Sequence, residues 1–308
     1  MNAVEAVALT KAYGKRVVLD RLDLIVPAGT VFALLGPNGA GKTTAVHIMS
    51  TLIHADSGRA RVAGHDVVRE PDAVRDAIAL TGQFVAVDGL FTGEENLRLM
   101  ADLRHLSPAA GRKRTAELIE RFDLGEAARK PVMTWSGGMR RRLDLAMTLV
   151  GSPQVIFLDE PTTGLDPRSR RAVWGMIRDL VRGGVTLFLT TQYLEEADQL
   201  ADRIALLDHG RVVASGTPEE LKRLVPGGHV ELRFASPADL DRAAALLPSA
   251  SSEPSALVLR VPGKATPAEL RDLLNRLGDV TASQVSLHTP DLDDVFLTLT
   301  GRPEEVVR

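Results

Sequence analysis

The amino-acid sequence predicts an α/β fold: a mostly parallel sheet with a helical subdomain set into it, followed by a smaller α/β unit. Three observations carry this expectation. Short apolar runs flanked by turn residues, Thr30 to Leu35, Gln154 to Leu158, Val185 to Thr190 and Arg203 to Leu207, alternate with longer helix-like stretches. That is the pattern of buried parallel strands joined by helical crossovers. The strand signal disappears between about 88 and 151, and Pro226-Gly227-Gly228 punctuates the chain after Val225.

Taken in order, the run ending at Leu35 leads into a glycine-rich loop and a helix starting near Lys42. Glu94 to Leu106, Pro108 to Phe122 and Gly137 to Val150 then read as the helices of the insertion. Three more buried strands follow. Beyond the punctuation the spacing predicts strand 229–234, helix 237–247, strand 256–261, helix 267–277, strand 280–288 and helix 291–299. The Ser/Pro-rich stretch Pro248 to Ser255 reads as a loop. The expected domains are therefore 1–225, with its helical part at 88–151, and 226–308.

Composition narrows the function. Lys plus Arg number 37 against 40 Asp plus Glu, which disfavours a nucleic-acid binder relying on a basic face. With no cysteine there is neither disulfide nor thiolate chemistry, which suits a reducing cytoplasm. The N-terminal residues lack the pattern of a secretory signal. The longest apolar runs fall far short of the roughly 20 residues of a membrane helix, so any membrane work requires a partner.

The segment Gly36-Pro37-Asn38-Gly39-Ala40-Gly41-Lys42-Thr43-Thr44 fits GxxxxGKT and follows an apolar strand. Its glycines let the backbone turn sharply so that successive N–H groups form an anion-binding nest. The helix beginning near Lys42 adds its positive N-terminal end. Lys42 is expected to reach the β- and γ-phosphates of a nucleotide and Thr43 to ligate Mg²⁺.

Asp159 and Glu160 close the run Val155 to Leu158, at the carboxyl end of a strand where open α/β sheets place their ligands. Asp159 is expected to anchor Mg²⁺ and Glu160 to polarise or deprotonate an attacking water. An isolated Asp-Glu pair would read as solvated strand-end charge; the phosphate loop changes that reading.

Over about residues 4 to 223 the sequence resembles the ATP-binding family of ABC transporters. The resemblance rests on the phosphate loop, Gln83 in Leu80-Thr81-Gly82-Gln83-Phe84, Trp135-Ser136-Gly137-Gly138-Met139 and Asp159-Glu160-Pro161-Thr162-Thr163-Gly164-Leu165-Asp166, in the family's order. It implies a P-loop ATPase that sandwiches nucleotide between two head-to-tail copies. Ser136, Gly137 and Gly138 would then contact the γ-phosphate held by the opposite subunit, Tyr13 would stack on adenine, and Gln83 would link Mg²⁺ and water to the membrane-facing surface. Asp166 matches a position that contacts the opposite subunit, and also suits a helix N-cap before Pro167. ATP with Mg²⁺ is the implied cofactor pair, GTP being the alternative.

Two departures stand out. Trp135 and Met139 replace the Leu and Gln usual around the Ser-Gly-Gly core, and Gln192 stands where the family has a histidine. An amide donates a hydrogen bond but carries no titratable proton near neutral pH, so Gln192 is expected to position water and phosphate while Glu160 acts as base.

The stretch Thr190-Thr191-Gln192-Tyr193-Leu194-Glu195-Glu196-Ala197-Asp198 and the ending Leu292 to Gly301 resemble the daunorubicin-resistance type of drug-exporter subunit. That implies a homodimer working with a separate integral membrane permease at the cytoplasmic side of the membrane, and a tail domain serving dimerisation or regulation. Two rivals are a soluble ABC ATPase of remodelling or repair and a small-molecule kinase. Asp291, Asp293 and Asp294 suit the helix dipole without a metal, and Leu292, Val295, Phe296 and Leu299 suit a core or dimer seam.

Overall fold

The computed structural model describes residues 1–82, 86–225, 228–263 and 266–301. In chain order the elements are β1 (Asn2–Tyr13), β2 (Arg16–Pro27), β3 (Val31–Leu35), α1 (Lys42–Met49), β4 (Ser57–Val62), β5 (His65–Asp66), α2 (Pro71–Ala77) and β6 (Ile78–Thr81). The helical part holds α3 (Gly93–Leu103), α4 (Pro108–Arg121) and α5 (Gly137–Thr148). Next come β7 (Val155–Asp159), α6 (Pro167–Arg182), β8 (Thr186–Thr191), α7 (Leu194–Leu200), β9 (Arg203–Asp208), β10 (Arg211–Gly216) and α8 (Pro218–Lys222). The tail carries β11 (His229–Arg233), α9 (Pro237–Leu246), β12 (Ser251–Glu253), β13 (Val258–Pro262), α10 (Pro267–Leu277), β14 (Gln284–His288) and α11 (Leu292–Thr300).

The chain divides into two compact units, Met1–Pro218 and Glu219–Arg308. The sequence reading places the boundary at 225/226; Pro226 and Gly227 lie outside the described residues. Leu221 and Val225 are buried.

The main sheet of the first unit has the order β10-β9-β3-β8-β7-β6. Its β9, β3, β8, β7 and β6 run parallel, and β10 is antiparallel to β9. β3, β7 and β8 are buried at every position, as strands covered on both faces must be. Phe188 stacks on Phe32 at a centroid distance of 5.3 Å and meets Phe157 in a tilted arrangement at 5.4 Å, linking three neighbouring strands. Each buried side chain of this size contributes about 1.5–3 kcal/mol.

A second sheet, β2-β1-β4-β5, is antiparallel. The sequence reading begins its strands at Thr30 and misses this one. Register shifts along β1 break the alternation of its burial, and period-two patterning is the signal that reveals a half-buried strand.

The three helices of the insertion form where expected. α3 opens with a capping box between Thr92 and Glu95, and Ser107 caps α4. Buried Trp135 replaces a smaller residue and finds room at Gly93, where a Cβ would lie 2.5 Å from the ring.

The second unit is an antiparallel sheet, β12-β13-β11-β14, whose core includes Leu232, Leu240, Leu259 and Leu273. β12 lies inside the stretch read as a loop. The strand expected from 280 starts at Gln284 because the Val280 amide bonds back to Leu277. Asp291 and Asp294 form a capping box on α11, and Asp294 also meets His288 at 2.8 Å. Leu292 and Val295 are buried, whereas Leu299 is exposed.

Candidate active site

β8 lies between β3 and β7, so the carboxyl ends of three parallel neighbours converge. Leu35 pairs in register with Thr191, and Thr190 with Asp159. The loop after β3, the Asp159-Glu160 step after β7 and Gln192 after β8 therefore leave the sheet at one edge.

The loop from Gly36 to Gly41 is shaped by close approach. A Cβ on Gly36 would lie 2.2 Å from the Leu207 carbonyl oxygen, and Gly41 has φ 110° with its Cβ direction 2.7 Å from the Val18 carbonyl oxygen. Neither position admits a side chain, and the second is strained for any L-residue. α1 starts at Lys42 directly after this turn, so its N-terminal amides and dipole face the loop.

Lys42 is buried, and its Nζ donates to the carbonyls of Gly36 at 2.7 Å and Pro37 at 3.1 Å, with Glu160 Oε1 at 3.7 Å. Burial lowers its pKa, opposed by the charges of Glu160 and Asp159. Thr43 Oγ1 donates to Asp159 Oδ2 at 2.9 Å, and Thr190 Oγ1 donates to the other carboxylate oxygen of Asp159. A hydroxyl and a carboxylate held side by side are a hard oxygen pair suited to Mg²⁺.

Glu160 has φ 49°, a strained conformation for a residue with a side chain. Its amide donates to the Thr190 carbonyl at 3.1 Å, and Thr163 Oγ1 donates to its carboxylate at 3.2 Å. The backbone is thus fixed from β8 and the carboxylate from its own loop.

These groups line a cleft of about 320 Å³ that includes Tyr13, Asn38, Gly39, Gly41, Lys42, Thr43, Thr44, Asp159 and Glu160. Gly36, Pro37 and Ala40 complete the loop backbone. The fit to a nucleoside triphosphate is chemical as well as spatial: a glycine cradle, a buried ammonium and an oxygen pair meet at one end, and the exposed ring of Tyr13 stands at the rim.

Not every expected residue joins them. Ser136 caps α5, accepting from the Met139 amide at 3.3 Å, and Ser136, Gly137 and Gly138 do not line this cleft. Gln192 is half-buried at the end of β8 and also lies outside the lining. Gln83 falls outside the described residues. Asp166 caps α6 through the amides of Arg168 and Ser169, each at 3.0 Å.

Sequence reasoning missed Arg16, which lines the cleft with a guanidinium nitrogen facing Gly39. The tight turn Gly14-Lys15 after Tyr13, which folds β2 back beside β1, was the available signal. Thr163 and Thr190 were missed too, because threonine in a strand or loop is unremarkable until its partner is known.

A strand, a glycine cradle, a helix N-terminus and a carboxylate pair at the end of a second parallel strand define a P-loop nucleotide hydrolase. The family model described as "ABC transporter" matches residues 19–163. The chain is 50% identical to the daunorubicin resistance ATP-binding protein DrrA2 of Streptomyces coeruleorubidus, over 98% of this chain and 96% of that one. It is 47% identical to the doxorubicin resistance ATP-binding protein DrrA of Mycobacterium tuberculosis, over 98% and 94% of the two chains. Against the Nod factor export ATP-binding protein I of Ralstonia nicotianae the identity is 37%, over 96% and 92%.

Among solved structures, an ATP-binding subunit of an ABC transporter superposes with TM-score 0.64 at 28% identity, covering 72% of this chain and 92% of that one. A dimeric post-hydrolysis ATP-binding cassette bound to ADP and Pi superposes with TM-score 0.62 at 25% identity, covering 70% and 98%. The chain belongs to the ATP-binding family of ABC transporters, in the branch of the daunorubicin-resistance ATP-binding proteins, and is an ATPase. Among the described residues no helix is long and apolar enough to cross a membrane.

Proposed function

We propose that this chain hydrolyses ATP to power efflux of a hydrophobic, antibiotic-type compound through a separate membrane subunit, acting as a homodimer on the cytoplasmic face. The observation that carries the catalytic part is the meeting of Lys42, Thr43, Asp159 and Glu160 in one cleft. The transport part is supported by its relatives, whose names describe daunorubicin and doxorubicin resistance and Nod factor export.

In this reading the loop amides and Lys42 hold the phosphate chain, and Tyr13 offers its face to the base. Thr43 and Asp159 would hold Mg²⁺, which when bound would supply positive charge against the phosphate chain. Glu160 takes a proton from the attacking water, the water oxygen bonds to the γ-phosphorus as the bridging P–O bond to the β-phosphate breaks, and ADP and inorganic phosphate leave. Gln192 and Gln83 orient water and phosphate. Ser136, Gly137 and Gly138, exposed or half-buried at the start of α5, serve the nucleotide of the second copy. The second unit, Glu219–Arg308, serves dimerisation or regulation.

Glu160→Gln tests the chemistry: the variant should bind ATP and fail to turn it over, and normal turnover would remove Glu160 from the role of base. Affinity capture from gently solubilised native membranes tests the transport. Stoichiometric recovery of a polytopic membrane protein is expected; recovery without one argues for a soluble role.

A further inference from the structure

Glu196 is completely buried and has no place in the chemistry above. It sits on α7, which begins two residues after Gln192. Its Oε1 accepts from Thr162 Oγ1 at 2.7 Å and from the indole Nε1 of Trp174 at 3.1 Å. Thr162 lies two residues after Glu160, and Trp174 belongs to α6. One carboxyl group therefore joins the loop that carries Glu160, the segment that carries Gln192 and the helix between them.

We infer that Glu196 is a positioning residue for hydrolysis, fixing the Glu160 loop through Thr162 relative to the Gln192 segment. The inference rests on the roles proposed for Glu160 and Gln192. A carboxyl group removed wholly from water is costly to keep unless its bonds are used. A shift of even an ångström between base and water-orienting groups lowers turnover far more than it lowers affinity. Thr162, Trp174 and Glu196 do not line the nucleotide cleft, so the expected effect falls on turnover and not on nucleotide binding. Burial raises the Glu196 pKa, opposed by its hydrogen bonds and the Arg170 charge. A glutamine keeps the Oε1 acceptor that Thr162 and Trp174 use and is the closest substitute in shape.

The test is steady-state ATPase kinetics of the full chain for Glu196→Gln, Glu196→Ala, Thr162→Val and the Glu196→Ala/Thr162→Val double variant, below their melting temperatures. Thr162→Val keeps the shape and removes only the hydroxyl, so it tests the link even if Glu196→Ala does not fold. The expected result is that Glu196→Gln stays within about twofold of the parent. Thr162→Val and Glu196→Ala should lose kcat on the order of 10–100-fold at unchanged KM, with the double variant no worse than Glu196→Ala. An unchanged kcat in Thr162→Val, or losses that multiply in the double variant, would overturn the inference. Glu160→Gln runs alongside: if it is inactive while Thr162→Val is normal, only the positioning role fails. If it hydrolyses normally, the base role fails and the inference falls with it.

Discussion

Arg141 and Asp144 form an ion pair at 2.8 Å inside the first unit, each side chain only 4% exposed. They stand one turn apart on α5, and each also holds backbone elsewhere. Arg141 donates to the Gly82 carbonyl and Asp144 accepts from the Ala86 amide, the described residues on either side of the segment containing Gln83. Burial opposes both charges, lowering the Arg141 pKa and raising that of Asp144.

Removing one member should therefore be far worse than removing both. Asp144→Ala leaves a buried guanidinium without its counter-charge, an expected loss of about 3–5 kcal/mol, whereas an Arg141→Met/Asp144→Leu double variant should lie much closer to the parent. Both tryptophans, Trp135 and Trp174, belong to the first unit, so urea unfolding followed by their fluorescence reads that unit alone. Equal losses in single and double variants would show that the pair carries no such penalty.

Gly93 and Trp135 form a second dependent pair. Adding a methyl group in Gly93→Ala places a carbon 2.5 Å from the indole, and overpacking of this kind costs about 1–3 kcal/mol. A Gly93→Ala/Trp135→Leu double variant should recover part of that loss, read by Trp174 fluorescence on thermal unfolding. No recovery would mean the alanine acts on the backbone and not on the ring.

Gln192 is expected to matter for rate and little for affinity. Gln192→Ala should lower kcat, by up to about 100-fold if the amide donates in the transition state, while ATP binding by the Lys42 loop persists. Single-turnover hydrolysis and equilibrium nucleotide binding separate the two, and unchanged turnover would remove Gln192 from the mechanism.

The buried Glu196 also makes a pH prediction. Its pKa in the fold lies above the unfolded carboxylate value because burial disfavours the charge, against the Thr162 and Trp174 hydrogen bonds and the Arg170 charge. Arg141 on α5 also interacts with it. A group raised on folding binds more protons in the native state, so its contribution is complete below the unfolded pKa and is lost as pH rises through the folded one. From the ordinary carboxylate range upward, the parent should lose stability relative to Glu196→Gln. Parallel stability curves for the two would place the ionisation elsewhere.

The sequence by itself determined what contiguous residues can build. Gly36 to Thr44 spells its own cradle because the turn, the following helix and the lysine are consecutive, and Asp166 caps α6 through amides two and three residues on. Buried strands such as Val155–Asp159 announced themselves by unbroken apolar runs. Only the tertiary structure decided which strands are neighbours. Placing β8 between β3 and β7 brings Thr190 to Asp159, Thr43 to Asp159 and Lys42 within 3.7 Å of Glu160. The bond from Thr162 to Glu196 spans 34 residues and leaves no periodic trace. Local geometry is written in neighbouring side chains, whereas pairing between distant segments follows from which arrangement buries the apolar runs and satisfies their polar ends together.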